Sequence, residues 1–434
     1  MKKPEKPKDF KVLYEENKAS IMGLVGNKEV MKLIARYNQE YLHWDELRYR
    51  DMPPGAKREC VWALMKLFRG QRYKKFKFNG LELKYSLIDE TLRKLHILDK
   101  GCAGHLETGF ELANLEGKDR YIISSLMEEA IATSQIEGAA TTRKIAKEIL
   151  RLNRKPKDYS EQMIVNGYAT IQKIAKMKWP SITPETILEL HKDITRDTMK
   201  SKADEGRLRD SNDIVVGDSI DPENVYHVPP DYKKIPELLE EFCKFANEEQ
   251  EEFIHPVIKG IILHFLIGYI HPFNDGNGRV ARAVFYWHVL SRGYWLFEFM
   301  SISRILLRSK VKYGTSYLHT ETDENDLTYF INYNLNAIEE ALHDTEEYIN
   351  RKQKEQAEAM KLLHEVKDIN MRQADILKRM MKNPEKPVVI SEVMGIYGVV
   401  YQTARNDLLH LGKLGYLEKL YTKRKFVFKL AKKG

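Results

Sequence analysis

The sequence predicts a mainly α-helical protein with one β-hairpin, on three observations. Apolar residues recur three and four apart along most of the 434 residues, one segment breaks that period, and Pro or Gly stops separate the helical stretches. In order, Glu29 to Arg48 carries Val30, Leu33, Ile34, Tyr37 and Tyr41 on one helical face. Pro53-Pro54 punctuates it, and Lys57 to Phe68 resumes as a second helix. Helices follow at Leu87 to Leu98, Tyr121 to Glu137 (stopped by Gly138), Tyr159 to Met177, Pro184 to Thr195 and Ile235 to Ala246. Ile214-Val215-Val216 and Val225-Tyr226-His227-Val228 flank Gly217, Asp218 and Asp221-Pro222, a short hairpin closed by Pro229-Pro230. Val257 to Ile270 is apolar nearly all round, hence a buried helix. Asn277 to Ser291 follows, and Asp326 to Val366 is a long charged helix leading into a separate C-terminal module.

Composition describes an ordinary soluble protein, 43% hydrophobic and 31% charged, long enough for two or three domains. Its net charge of +8 is unevenly placed. Residues 419–434 hold seven Lys or Arg and no acid, so the preceding 418 residues sum to only +1. Cys60, Cys102 and Cys243 are far apart and match no zinc or disulfide spacing, as expected in a reducing compartment. Residues 1–11 are Lys- and Pro-rich without an apolar core, and so do not read as a secretory signal. The most apolar run, Ile261 to Ile270, is about half of what a bilayer requires. A cytoplasmic protein without a membrane span is expected.

The chemistry concentrates in His271-Pro272-Phe273-Asn274-Asp275-Gly276-Asn277-Gly278-Arg279-Val280-Ala281-Arg282. Asp-Gly and Asn-Gly pairs are common turn formers, and a plain connecting loop is the competing reading. Three features point beyond it. Pro272 disfavours the α conformation at His271, so the buried helix stops there and delivers an imidazole to a fixed point. Gly276 and Gly278 permit successive N–H groups to face one concavity that runs into a helix start, a phosphate-binding arrangement. Arg279 and Arg282 lie on one face of the first turns of that helix, where cations oppose the macrodipole unless an anion joins them. Asp275 adds a hard-oxygen ligand for Mg²⁺. A base, a metal ligand, an anion cradle and two guanidinium groups in twelve residues suggest phosphoryl or nucleotidyl transfer.

This stretch resembles the signature of the Fic family, H-x-F-x-[DE]-G-N-G-R-x-x-R, at every specified position. The resemblance implies a Fic helical core over roughly residues 110–350 and transfer of AMP from ATP·Mg²⁺ to a Tyr, Thr or Ser hydroxyl of a target protein. Carried over, His271 would deprotonate the hydroxyl, Phe273 would anchor the loop, and Asp275 would coordinate Mg²⁺. Asn277 would orient the α-phosphate, the Gly276 and Gly278 backbone would line the anion hole, Arg279 would hold the inner phosphates, and Arg282 would reach the γ-phosphate. A phosphocholine-transferring member has Ala where Gly276 stands, so Gly276 favours AMP transfer.

Thr133-Ser134-Gln135-Ile136-Glu137-Gly138 resembles the family's inhibitory motif, [ST]-x-x-x-E-[GN], N-terminal to the core. A helix ending in a Gly cap with a solvated Glu137 is the competing reading. An acid at a helix C-terminus and Arg282 near a helix N-terminus are each locally disfavoured and would satisfy one another, with Thr133 on the same face steering the side chain. The resemblance thus implies an enzyme inhibited by Glu137. A bifunctional enzyme that also removes AMP is an alternative.

The remaining expectations concern partners and organisation. The hairpin within 212–229 lies where the family has a flap that pairs with a target strand. Tyr313, Tyr317, Tyr329 and Asn332 fall where relatives line the adenine pocket, although core packing is the ordinary reading of aromatics at helical spacing. His255 and His264 read as packing or hydrogen-bonding residues. Residues 370–434 read as three helices and two strands and look like a winged helix, with 401–414 as recognition helix and Lys423-Arg424-Lys425 as wing. That module could contact DNA or protein through 401–425, and a DNA-binding regulator with a vestigial site is the competing function class. Expected boundaries are 1–110 for an N-terminal helical region, 111–350 for the core including 121–138 and 212–229, 351–369 for a connecting helix and 370–434 for the winged helix. Self-modification and a homodimer are further expectations of the resemblance.

Overall fold

A computed structural model describes residues 2–52, 54–103, 118–176, 181–217, 221, 223–365, 368–384, 386–422 and 425–431. Outside them lie Asp218 and Pro222 of the expected hairpin, two expected helix ends at Met177 and Val366, and Lys423, Arg424, Lys432 and Lys433 of the basic tail. The chain divides into two compact units. One gathers residues 2–103, Ser125–Ala146 and Pro156–Ala341. The other gathers 118–124, Lys147–Lys155 and the residues from Leu342 onward. No helix among the described residues is long and apolar enough to cross a membrane.

The first unit begins with α1 (Phe10–Val25), α2 (Lys28–Glu40), α3 (Trp44–Leu47) and α4 (Arg58–Gly70). Their shared core includes Leu13, Val30, Ile34, Trp44 and Trp62. The helix expected to reach Arg48 stops eight residues earlier. Tyr41 turns left-handed, with φ +54°, and its hydroxyl donates to Asp326 at 2.7 Å. A distant carboxylate and the His43 cap of α3 thus override the local helical period. Strands β1 (Lys74–Phe78) and β2 (Leu81–Tyr85) form a second hairpin that the helical reading passed over. Its signal was legible: Asn79 and Gly80, both at positive φ, make a tight turn between alternating segments. Then comes α5 (Asp89–Cys102). A buried polar network joins this region to the loop at 323–326. In it Lys66 meets Asp323 at 2.7 Å, and Tyr73 donates to Asp326 at 2.8 Å.

The central helices follow: α6 (Lys118–Ile136), α7 (Arg143–Leu152), α8 (Tyr159–Lys176), α9 (Pro184–Thr195), the hairpin β3 (Val216–Gly217) and β4 (Val225–His227), α10 (Ile235–Asn247), α11 (Pro256–Ile270) and α12 (Asn277–Ser291). Pro184 at the first turn and the Thr183 cap set the start of α9. α11 is buried nearly all round, as its sequence demands, and packs along α12, with α10 beside α11 and α8 and α9 against α12. α13 (Ile302–Arg308), α14 (Lys310–Thr322) and α15 (Thr328–Glu365) complete the helical part, beginning two residues later than expected for α15.

The second unit carries α16 (Met371–Lys382), β5 (Val388–Val389), α17 (Ile390–Tyr397), α18 (Tyr401–Lys413), β6 (Leu417–Thr422) and β7 (Lys425–Leu430). The antiparallel strands lie in the order β5-β7-β6. Ile376, Leu377, Val393, Leu408, Leu411 and Phe428 form its core. The two-residue strand β5 was too short to leave a period in the sequence.

Candidate functional site

α11 ends at Ile270, and His271 caps it in the left-handed conformation, φ +49° and ψ +58°, with its N–H donating to Ile267 at 3.0 Å. That conformation costs a non-glycine residue roughly 1–2 kcal/mol, so the surrounding contacts must hold it. Pro272 forbids a further helical turn. The ring is oriented by Nδ1, which lies 3.3 Å from the Gly268 carbonyl. A carbonyl only accepts, so Nδ1 carries the proton and Nε2 keeps its lone pair. Burial pushes the imidazole down to about 4, with smaller contributions from the neighbouring His227 and Arg209. His271 is therefore neutral at pH 7, in the form a general base needs.

The loop beyond it is rigid. Phe273 is fully buried and stacks on His191, with ring centroids 3.7 Å apart and planes 5° from parallel. Asn277 uses its whole side chain on the Phe273 backbone, accepting from its N–H at 2.9 Å and donating to its carbonyl at 2.8 Å. These two bonds fix the Asn277 side chain, and its backbone N–H, at the first position of α12, points out of the helix start. Gly276 has φ +84°, and a Cβ there would lie 2.9 Å from Thr195 Cγ2. Both observations require glycine. Gly276→Ala is expected to lower stability by about 1–3 kcal/mol, read as a fall in the urea midpoint at unchanged slope.

α12 starts at Asn277 with no side-chain cap, which leaves its first N–H groups available to an anion. Arg279 and Arg282 are both 3% exposed beside it. Arg279 donates to the Ile194 carbonyl at 3.1 Å and stands 3.7 Å from Asp275, while its Nε and Nη2 make no hydrogen bond among the described residues. Arg282 Nη1 is likewise unbonded. Buried guanidinium nitrogens without acceptors are costly, and a polyanion supplies acceptors of the right charge.

Glu137 meets this site from α6. The helix ends at Ile136, Gly138 turns at φ +96°, and Lys310 Nζ donates to the Ile136 carbonyl. Arg282 Nη2 donates to Glu137 Oε1 at 2.7 Å, and its Nε donates to Thr133 Oγ1 at 2.7 Å. The carboxylate covers the helix start so closely that a Cβ on Gly278 would fall 2.5 Å from Oε1. A carboxylate of the chain itself thus lies over the start of α12, beside Gly278 and paired with Arg282. Burial alone would raise the Glu137 pKa, but Arg282, joined by Arg279 and Lys310, holds the carboxyl below its usual range. α6 is fastened further back by buried Glu129, which accepts from the Ser303 N–H at 2.9 Å at the start of α13.

Asp275 is half exposed, and one of its oxygens accepts from the Gly276 N–H at 2.6 Å. A single accessible carboxylate beside uncapped N–H groups and free guanidinium nitrogens fits Mg²⁺ held mainly by phosphate oxygens and water. Among the described residues the one cluster of three ligand side chains is His343, Asp344 and Glu347, in the other unit.

Several placements differ from expectation. Of the four adenine-side residues, Tyr313 bonds His264 at 2.7 Å and the Tyr317 hydroxyl lies over Gly268 of α11, near the site. Tyr329 instead donates to Asp323 and Asn332 accepts from Thr91, both facing the N-terminal helices. His255 and His264, by contrast, are hydrogen-bonding residues as expected: His255 meets Asp99 at 2.9 Å while its Nδ1 caps α11. His264 is buried and neutral, pushed down to about 3 by burial. Two residues that no motif marks also hold the loop. His191 Nδ1 accepts from the Gly206 N–H at 3.0 Å, so its Nε2–H donates to the Asp275 carbonyl at 2.9 Å. Arg209 donates to the His271 carbonyl at 2.9 Å.

Residues 181–289, from α9 through most of α12, match the Fic/DOC family. The protein adenylyltransferase Fic of Drosophila mojavensis is 32% identical over 113 residues, covering 26% of this chain and 20% of that protein. Its namesake from Nematostella vectensis is 33% identical over 105 residues, covering 24% and 22%. The chain thus matches about a fifth of the length of these curated relatives. A Fic family protein from Desulfovibrio desulfuricans shares the fold, with TM-score 0.50 and 19% identity over 79% of this chain and 95% of that one. So does Fic-1 from C. elegans, with TM-score 0.51 and 18% identity over 80% and 89%.

Proposed function

We propose that this chain is a protein adenylyltransferase that moves AMP from ATP to a hydroxyl side chain of a target protein and is held inactive by Glu137. The observation that carries the reading is the meeting of a neutral, oriented imidazole with buried, unbonded guanidinium nitrogens at an uncapped helix start. His271 Nε2 takes the hydroxyl proton as that oxygen bonds to the α-phosphorus; the bond from the α-phosphorus to the α,β-bridging oxygen breaks, and pyrophosphate leaves. The Asn277 and Gly278 N–H groups and Arg279 orient the α- and β-phosphates, and Arg282 takes the γ-phosphate once Glu137 has gone. Mg²⁺, held through Asp275, would neutralise charge on the leaving pyrophosphate. The exposed edge of the β3–β4 hairpin receives a target segment by strand addition. The direct test is mass analysis of the Glu137→Gly chain with each of ATP, GTP, UTP and CTP. A chain that gains no nucleotide mass from any of them removes the reading.

A second reading concerns the C-terminal unit, and one observation favours it. Asp407, the acid on α18, is turned inward: it is 3% exposed and paired with Arg372 at 2.5 Å, while Gln373 Nε2 donates to it at 2.9 Å. The outer face of α18 therefore presents Tyr401, Gln402, Arg405 and Asn406 without a negative charge. Arg, Gln and Asn are the side chains that read guanine and adenine edges, and the basic residues from Lys419 onward supply phosphate contacts. We propose that this winged-helix-like unit binds duplex DNA. The full chain is expected to bind a random-sequence duplex pool with an affinity that falls steeply between 50 and 200 mM salt. Arg405→Ala is expected to weaken the selected sites by about 1–3 kcal/mol in fluorescence anisotropy. No binding at the lower salt would eliminate this reading and leave a protein partner for the same face.

A further inference from the structure

The general base and the flap belong to separate segments of the chain, and one side chain touches both. Arg209 is 3% exposed and lies just before the hairpin. Its Nε donates to the His271 carbonyl at 2.9 Å, and its own backbone N–H donates to the Pro272 carbonyl at 2.9 Å. Its Nη1 donates to the Ser211 carbonyl at 2.8 Å, where the chain enters the flap, and Nη2 donates to the Pro230 carbonyl, where it leaves. Asn212, a weaker acceptor for Nη1 at 3.4 Å, also receives the Tyr232 N–H at 2.9 Å and so braces the same junction. Among the described residues no carboxylate hydrogen-bonds this guanidinium, on which Asp231 acts only through its charge; its acceptors are carbonyls spread over three chain segments. A compact ammonium cannot span those directions, whereas the planar fork does.

We propose that Arg209 is a positioning residue that sets the register between the flap and His271, so that a strand added to the β3–β4 hairpin presents its hydroxyl at Nε2. The proposal rests on the adenylyltransferase reading above. His271 sits in a left-handed conformation whose carbonyl needs a fixed donor, and Arg209 provides it while holding both ends of the flap. A second tie runs in parallel: His227 of β4 lies 2.8 Å from the Tyr269 carbonyl and 2.8 Å from Glu321. The flap is therefore gripped on both sides of the residue that does the chemistry, and movement of one is transmitted to the other. Arg209 also contributes to the low pKa of His271, after burial and His227.

The test compares Arg209→Lys and Arg209→Met in the Glu137→Gly background. Transfer to protein hydroxyls is expected to fall roughly 100-fold in both, the scale of a misplaced reacting group, with the KM for ATP unchanged. Amide hydrogen exchange in 211–217 and 225–228 should accelerate while that of α9 stays constant. The His271 ring, followed by nitrogen NMR, should titrate higher in Arg209→Met, which removes a cation, than in Arg209→Lys, which keeps one. Native transfer rates in Arg209→Lys, or unchanged exchange in the flap, would overturn the proposal. If the Glu137→Gly parent itself forms no adduct, the function fails, and the exchange and NMR readouts still decide whether Arg209 couples the two segments.

Discussion

Glu137→Gly, incubated with ATP and Mg²⁺, is expected to acquire AMP at roughly 10- to 100-fold the rate of the native chain, because removing a charge-assisted contact worth about 1.5–3 kcal/mol returns Arg282 to the nucleotide. The geometry makes the competition direct. Arg282 Nη2 is bonded to Glu137 at 2.7 Å, and the same carboxylate lies against Gly278, where phosphate oxygens would approach. The substitution should leave the helix in place, since Glu129, Thr133 and Lys310 still hold α6. Glycine at 137 also removes the anion rather than merely shortening it. Acid is a poor substitute for this mutation. The Glu137 carboxyl is held below its usual range, so the ion pair's contribution is fully present above the ordinary carboxylate pKa. It is lost only as pH falls through the lowered value, and mild acidification to roughly pH 5 should not release the enzyme. Equal rates of labelling in the native and Glu137→Gly chains, measured by intact mass, would sink the autoinhibition.

His271→Ala in that released background is expected to lose transfer by roughly 10²- to 10⁴-fold, the usual contribution of a positioned general base. ATP binding should survive, because the anion cradle belongs to α12 and its arginines rather than to the imidazole. The pH profile gives an independent check. The imidazole is pushed down to about 4, so its base form persists well below the ordinary histidine range. Activity of Glu137→Gly should therefore hold steady from neutral pH down toward about 5 and decline only as pH nears the lowered pKa. A limb near 6.5 would mean that another histidine titrates in the reaction. Adduct formation persisting at the parent's rate in the double variant would refute His271 as the base.

The twelve-residue loop was readable in the sequence because its constraints are local. Pro272 after an apolar run ends a helix whatever surrounds it, and the glycines and arginines that follow are neighbours in space because they are neighbours in the chain. The long central helices were legible for the same reason: the apolar period of α11 and the capped start of α9 are properties of short windows. The misses share the opposite cause. α2 ends early because Tyr41 answers to Asp326, 285 residues away. Tyr329 and Asn332 face the N-terminal helices because their partners, Arg69 and Thr91, come from that region. Asp407, an acid within the expected recognition helix, is turned inward because Arg372 and Gln373, more than thirty residues earlier, enclose it. β1–β2 is the exception, since the Asn79-Gly80 turn carried its own local signal.

By itself, then, the sequence determined the helical class, the place of the Gly- and Arg-rich loop and the residue types proposed to do nucleotidyl chemistry, all of which follow from spacings of a turn or two. Only the tertiary structure decided that Glu137 reaches Arg282 across 145 residues, that His271 is neutral with Nε2 open, and that His191 and Arg209 hold the loop. Each of these depends on burial and on hydrogen bonds between distant segments, whose energies exist only after the chain has folded.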